Sequence, residues 1–359
     1  MAYYHTKYSS YRKKSKFHRS IIFILLLLIM IVIAIGYFVY QMISEPNVWT
    51  KGEPEISIYI PTGSSFDDVK TILYKDGLII HRNNFEWWAQ KKKYPENIKA
   101  GKYLLLNGMS NNELINHLRA GNQEPVNLIF NNIRDIEQLA MRVSEQLEID
   151  SASIINLLND SAYISNLGFN KYTISSLFIP NTYEFFWNVS AENFINRMIR
   201  EYENFWNDVR KAKAAALNMS KMGVVILASI IDKETQKNDE KPIIAGVYIN
   251  RIKRNWLLQA DPTLIFALND FGVKRVLNVH KEIDSPYNTY KYPGLPPGPI
   301  CIPSISSIDA VLNYQEHDYL YFCAKEDLSG YHNFAKNNRE HNRNAENYQR
   351  ALDKLRIFK

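Results

Sequence analysis

The chain has 359 residues, 46% of them hydrophobic and 22% charged, with two cysteines. That is enough apolar material for two or three packed units, and it excludes a disordered chain and a disulfide-stapled scaffold. The net charge of +6 invites a nucleic-acid reading, but Lys7, Arg12, Lys13, Lys14, Lys16 and Arg19 supply it from a tail, residues 1–20, that has no acid; the other 37 basic residues match 37 acidic ones. No nucleic-acid face is expected.

Residues 21–40, IIFILLLLIMIVIAIGYFVY, carry no charge, and a stretch of that length spans the hydrocarbon core of a bilayer as a helix. Its basic flank is N-terminal, so the positive-inside rule keeps residues 1–20 in the cytoplasm and sends everything after Gln41 outside. Ala34-Ile35-Gly36 has the small-x-small form of a cleavage site but lies within the apolar run, so an uncleaved anchor is expected. Residues 41–52 form a linker. EISIYI (55–60) alternates as a strand, 65–78 reads as an amphipathic helix, and a second short helix carries Phe85, Trp87 and Trp88. KYLLL is the next strand. Ser110 and Glu113 frame a capping box, and Gly121 ends the helix it opens. Residues 53–122 thus make a small α+β unit, with Trp87 and Trp88 as core or as a binding platform.

In 123–359, VNLIF (126–130) is a strand, and helices are expected around 134–148 and 151–159. One long helix is expected over 193–217, capped near Ser190 and leading to MGVVILASIIDKET, residues 222–235. Two acids stand where that apolar run stops. On a helix Leu227, Ile230, Ile231 and Glu234 share one stripe, while Asp232 lies with Val225, Ala228 and Ser229. Glu234 therefore ends an apolar stripe, where partial desolvation raises a carboxyl pKa and suits a general acid. A Glu in the last turn of a solvated helix is the plain alternative. KPIIAGVYINRIKR follows as an amphipathic helix, and another begins with Asp261 as N-cap and Pro262 at N1.

Residues 284–304 hold six prolines and two glycines among aromatic residues, the composition of an ordered loop held in one shape. Stacking rings beside amide and hydroxyl groups suit a sugar site there. A helix over 306–314, strands near 318–324 and 331–335 and a polar C-terminal helix close the chain. Cys301 and Cys323 are expected as isolated thiols, and His332 and His341, whose spacing fits no metal motif, as surface residues.

FIPNTY (178–183), LASIIDKET (227–235), VYINRI (247–252), LLQADPT (257–263) and SPYNTYKYPGLPPGPI (285–300) together resemble the endolytic murein transglycosylases, the MltG or YceG-like family, from about residue 53 to the end. The resemblance implies a LysM-like α+β subdomain at 53–122 and a mixed, helix-rich α+β catalytic domain at 123–359. It implies an enzyme without metal or cofactor, held in the cytoplasmic membrane, that cuts peptidoglycan glycan strands internally, with peptidoglycan synthases as further partners. The family's catalytic Glu falls on Glu234. Gln259 and Asp261 are expected to orient it or bind sugar hydroxyls, Tyr287, Asn288 and Tyr290 to line the glycan cleft, and Tyr183 to face it. Asp232 stands where relatives often have Glu and is expected to be non-catalytic; Asn181 stands where they often have Asp. A muramidase and a non-catalytic glycan-binding scaffold are the alternatives.

Overall fold

The computed structural model describes residues 15–273 and 276–354. Its secondary structure is mixed α+β, with short antiparallel ladders among many helices. Helix α1 (Ser15–Ser44) includes 26 residues, Arg19–Ser44, long and apolar enough to cross a membrane. Its apolar residues from Ile21 to Tyr40 are largely exposed. The chain divides into compact units, residues 1–124 and 125–359.

In the first unit, β1 (Glu55–Ile60) pairs antiparallel with β2 (Gly101–Leu106), setting Ile58 opposite Tyr103. Helices α2 (Phe66–Lys75), α3 (Arg82–Lys91) and α4 (Asn111–Ala120) complete its core of Ile60, Leu73, Phe85, Tyr103 and Leu118. The Ser110–Glu113 capping box forms on α4, and a second one, Ser65–Asp68, opens α2. Helix α2 stops short of the expected residue 78 because Gly77 turns left-handed at φ +67°. Trp88 packs against the core, while Trp87 stacks on it and stays 37% exposed.

The second unit begins with β3 (Val126–Phe130), α5 (Ile136–Ser144), α6 (Ser151–Asn159) and α7 (Ser161–Asn166). The FIPNTY region contains a strand that was not expected, β4 (Asn181–Phe185), paired antiparallel with β3, and Ser190 caps the helix that follows it, as expected. The long helix expected over 193–217 is two, α8 (Ala191–Phe205) and α9 (Asp208–Ala216). Fully buried Trp206 turns the chain into the core, and Asn207 then caps α9 by accepting from Arg210 N. Helix α10 (Lys221–Glu234) is buried continuously from Gly223 to Asp232, so it is the central helix of this unit. Around it lie α11 (Lys241–Lys253), α12 (Asp261–Leu268) and α13 (Ile305–Leu312). The hairpin β5 (Tyr321–Ala324) and β6 (His332–Ala335) and helix α14 (Asn338–Lys354) close the unit. Asp261 is the first helical residue of α12 and Ala260 its N-cap, one place from expectation. Cys301 and Cys323 are free thiols.

Candidate active site

Two acids end α10, and their surroundings give them opposite roles. Asp232 faces α13. It accepts from Ser304 Oγ at 2.5 Å, Ser307 Oγ at 2.6 Å and Ser304 N at 3.3 Å, with Lys241 Nζ at 3.5 Å. Burial by itself raises its pKa, but these donors and the Lys241 ammonium outweigh that and hold it below the usual carboxylate range. Asp232 is a hydrogen-bonded, ion-paired joint between helices, its ionised form favoured by these partners.

Glu234, the last residue of α10, ends the stripe of Leu227, Ile230 and Ile231, all fully buried. Its Oε1 accepts a 2.6 Å hydrogen bond from the hydroxyl of Tyr248 on α11. The residue is partly buried and keeps an open edge to solvent, while the protein atoms around its carboxyl desolvate it. Burial pushes its pKa up to about 7; the Tyr248 hydroxyl pulls it down, the negative charge of Asp261 pushes it up, and Arg251 pulls it down. Near neutral pH the group is about half protonated, able to give a proton and take one back.

The surroundings of Glu234 are rigid. Tyr248 is fully buried and packs edge-on against Phe322 of β5 at 5.9 Å. Arg251, one turn further along α11, is buried; its guanidinium donates to Leu320 O at 2.8 Å and to Leu258 O, and lies 5.8 Å from the Tyr248 ring. The turn after Glu234 is tied to the β5–β6 hairpin. Buried Glu240 accepts from Thr235 Oγ1 at 3.3 Å and His332 N at 2.6 Å, with His332 Nδ1 at 2.8 Å. His332, expected on the surface, is thus partly buried against an acid.

The proline-rich loop is anchored onto α10 and α12. Ile300 N donates to Ser229 Oγ at 3.0 Å. Thr289 Oγ1 meets Ala260 N at 3.0 Å and Thr263 Oγ1 at 2.8 Å, and Gln259 N donates to Thr289 O. Gly298 admits no side chain, because a Cβ there would run into the Tyr172 carbonyl. Held this way, the loop delivers the Tyr290 hydroxyl to Asp261 Oδ1 at 2.5 Å. Asp261 and Tyr290 both lie within electrostatic range of Glu234.

Of the residues expected here, Glu234, Asp261 and Tyr290 come together. Gln259 sits beside them, exposed, at a left-handed φ of +48°. Three expectations are corrected. Tyr183 is buried on β4, stacked on Phe130 with its hydroxyl donating to Ile179 O at 2.6 Å, so it belongs to the core. Asn288 is fully buried; it donates to Lys281 O and Ile283 O and accepts from Tyr290 N, so it shapes the loop. Tyr287 is buried against Phe266, ring centroids 4.7 Å apart. Tyr248 and Arg251 were missed. A tyrosine and an arginine one turn apart, on a helix stripe shared with Ile244, were the signal available. Among the described residues no cluster of His, Cys, Asp and Glu is suited to hold a metal.

A model of the YceG-like family matches residues 58–347. An endolytic murein transglycosylase of Bacillus subtilis is 32% identical over 330 residues, which make up 87% of this chain and 90% of that protein. One of Streptococcus pneumoniae is 27% identical over 345 residues, 86% of this chain and 62% of that longer protein. The crystal structure of a yceG-like protein from Listeria monocytogenes has a TM-score of 0.56 at 30% identity, covering 81% of this chain and 98% of that one.

Proposed function

The chain belongs to the YceG-like family, and from that premise we propose that it is an endolytic murein transglycosylase with Glu234 as its single catalytic acid–base. The observation that carries this reading is the Glu234 carboxyl: partly buried at the end of an apolar stripe, held by Tyr248, and pushed by that burial to a pKa of about 7. Protonated Glu234 donates to the oxygen of the glycosidic bond between N-acetylmuramic acid and N-acetylglucosamine, and the C1–O bond breaks. The resulting carboxylate takes the proton of the muramoyl C6 hydroxyl as that oxygen bonds to C1. The products are a new N-acetylglucosamine end and a 1,6-anhydromuramoyl end, with no water consumed. One carboxyl suffices because the nucleophile belongs to the substrate, whereas a hydrolase needs a second to activate water. Tyr248 and Arg251 position Glu234, and the Asp261–Tyr290 pair, with Gln259 beside it, faces the sugar.

Further support comes from the apolar N-terminal helix. With its basic tail in the cytoplasm it holds the catalytic unit on the outer side of the cytoplasmic membrane, where nascent glycan strands emerge from peptidoglycan synthases. Residues 53–122 form the LysM-like unit of this arrangement. The test is digestion of purified peptidoglycan by the full chain in detergent, beside Glu234→Gln, with mass spectrometry of the products. Anhydro ends, lighter than hydrolytic ones by one water and absent with Glu234→Gln, are expected. Reducing ends instead would assign a muramidase with Asp261 as its base. A folded protein that leaves glycan intact would refute an enzymatic role.

A further inference from the structure

Helix α1 passes into the first compact unit without slack. From Ile21 to Phe38 its apolar side chains are exposed, but Val39, Met42 and Ile43 are partly covered, a single stripe at i, i+3 and i+4. Helices α3 and α4 approach α1 to within 8 Å between Cα atoms. Asn111, the first residue of α4, donates from Nδ2 to Met42 O at 2.8 Å. Buried Asn47 donates to Asn111 Oδ1 at 2.6 Å and His81 O at 3.2 Å, and accepts from His81 N at 2.6 Å. Hydrogen bonds through two side-chain amides thus join the end of α1 to the start of α3, a path of no more than about 13 Å. Beyond the helix Pro46 pairs with Ser110 and Val48 with Ile79, so the chain leaving α1 forms a short ribbon with the unit.

At about 1.5 Å per residue the run Ile21–Tyr40 is about 30 Å long, the thickness of a bilayer's hydrocarbon core. With α1 spanning the membrane, as in the arrangement above, Val39 lies at the edge of that core. Met42 then stands about 3 Å beyond Tyr40, inside a headgroup layer about 5–8 Å thick. The side chain that bonds Met42 O shares that depth. The ribbon beside it leaves two large apolar side chains in the open, Trp49 at 50% and Ile80 at 53%. One stands on each chain of the ribbon, since Trp49 N donates to Leu78 O and Ile80 N to Asn47 O. Apolar surface of that kind costs free energy in water and gains it at a membrane boundary, where tryptophan is favoured.

We propose that residues 45–122 are seated on the membrane surface where α1 emerges, with Trp49 and Ile80 in contact with phospholipid headgroups and the upper acyl chain. The inference rests on the reading of α1 as an anchor and is tested apart from it. The full chain is reconstituted into phosphatidylcholine–phosphatidylglycerol vesicles carrying a nitroxide quencher on the headgroup, at the top of the acyl chain or near its end. Trp49 fluorescence is the difference between the wild type and Trp49→Phe. Ile80→Trp and Ile29→Trp, each folded by circular dichroism and read as a difference from the wild type, report the ribbon and the middle of α1. Headgroup and upper-chain nitroxides should remove most of the signal at positions 49 and 80, and chain-end nitroxide most of the signal at position 29. If position 29 is quenched while 49 and 80 keep their signal, the inference is overturned, the anchor stands, and the patch belongs to another protein chain. If position 29 keeps its signal, the anchor is refuted and the inference falls with it, while anhydro products from the same chain would still uphold the catalytic reading.

Discussion

Replacing Glu234 by Gln should stabilise the protein by an amount that grows as pH rises from 4.5 to about 7 and is largest above it. The folded carboxyl has its pKa raised from 4.5 to about 7. Because the folded pKa is the higher one, folding retains a proton that the unfolded chain releases. That contribution is fully present below pH 4.5 and lost as pH rises through 7. Each tenfold change in acidity is worth about 1.4 kcal/mol, so the ionised, desolvated carboxylate costs about 3 kcal/mol at pH 8, trimmed to about 2 by its open edge. Glutamine carries no charge and still accepts from the Tyr248 hydroxyl. For a unit of this size 1 kcal/mol moves Tm by about 2–4 °C. Scanning calorimetry of both proteins should find Glu234→Gln melting about 4–10 °C higher at pH 8 and within about 1–2 °C at pH 4.5. An offset equal at both pH values, or a less stable variant at pH 8, would refute the reasoning, because desolvation of the charged form would then not be what shifts this group.

Tyr248→Phe removes the donor that favours the carboxylate, so the alkaline limb of kcat/KM on peptidoglycan should move up by about one pH unit, while activity at its plateau falls. Ser304→Ala and Ser307→Ala each leave Asp232 short of a donor and should cost about 1–3 kcal/mol by denaturant unfolding. The two losses should not add, since both residues serve one carboxylate, and neither should move the alkaline limb. Asn288→Ala orphans the carbonyls of Lys281 and Ile283 and frees Tyr290 from its backbone tether. It should cost about 2–4 kcal/mol and lower activity together, the losses seen by thermal melting and by product release.

Much of this protein is written locally. A chargeless run of twenty residues is legible as a helix long and apolar enough to cross a membrane, because that test asks for length and apolarity alone. Ser110 with Glu113, and Gly121 after them, declare the ends of α4 because a cap bonds to residues only three or four away. The position of Glu234 at the end of an apolar stripe is legible for the same reason, since helical period alone puts it beneath Ile230 and Ile231.

Partners distant in sequence are not written in any local pattern. Strand β4 was unreadable until it met β3, because FIPNTYEF has neither length nor alternation enough to declare itself. Asn288 and Tyr287, polar and aromatic in a loop, look like ligands from sequence; folding turns them inward to satisfy carbonyls and fill space that the loop's own shape creates. The two acids of α10 differ by only two positions, and sequence alone distinguishes the directions they face. Their chemistry was decided by what each direction meets. Asp232 meets two serine hydroxyls and a lysine from more than one helix, which keep it charged. Glu234 meets a tyrosine, a buried wall and the field of Asp261, so its proton stays near pH 7, since a pKa reports the solvation and charges around a group, which only the assembled chain supplies.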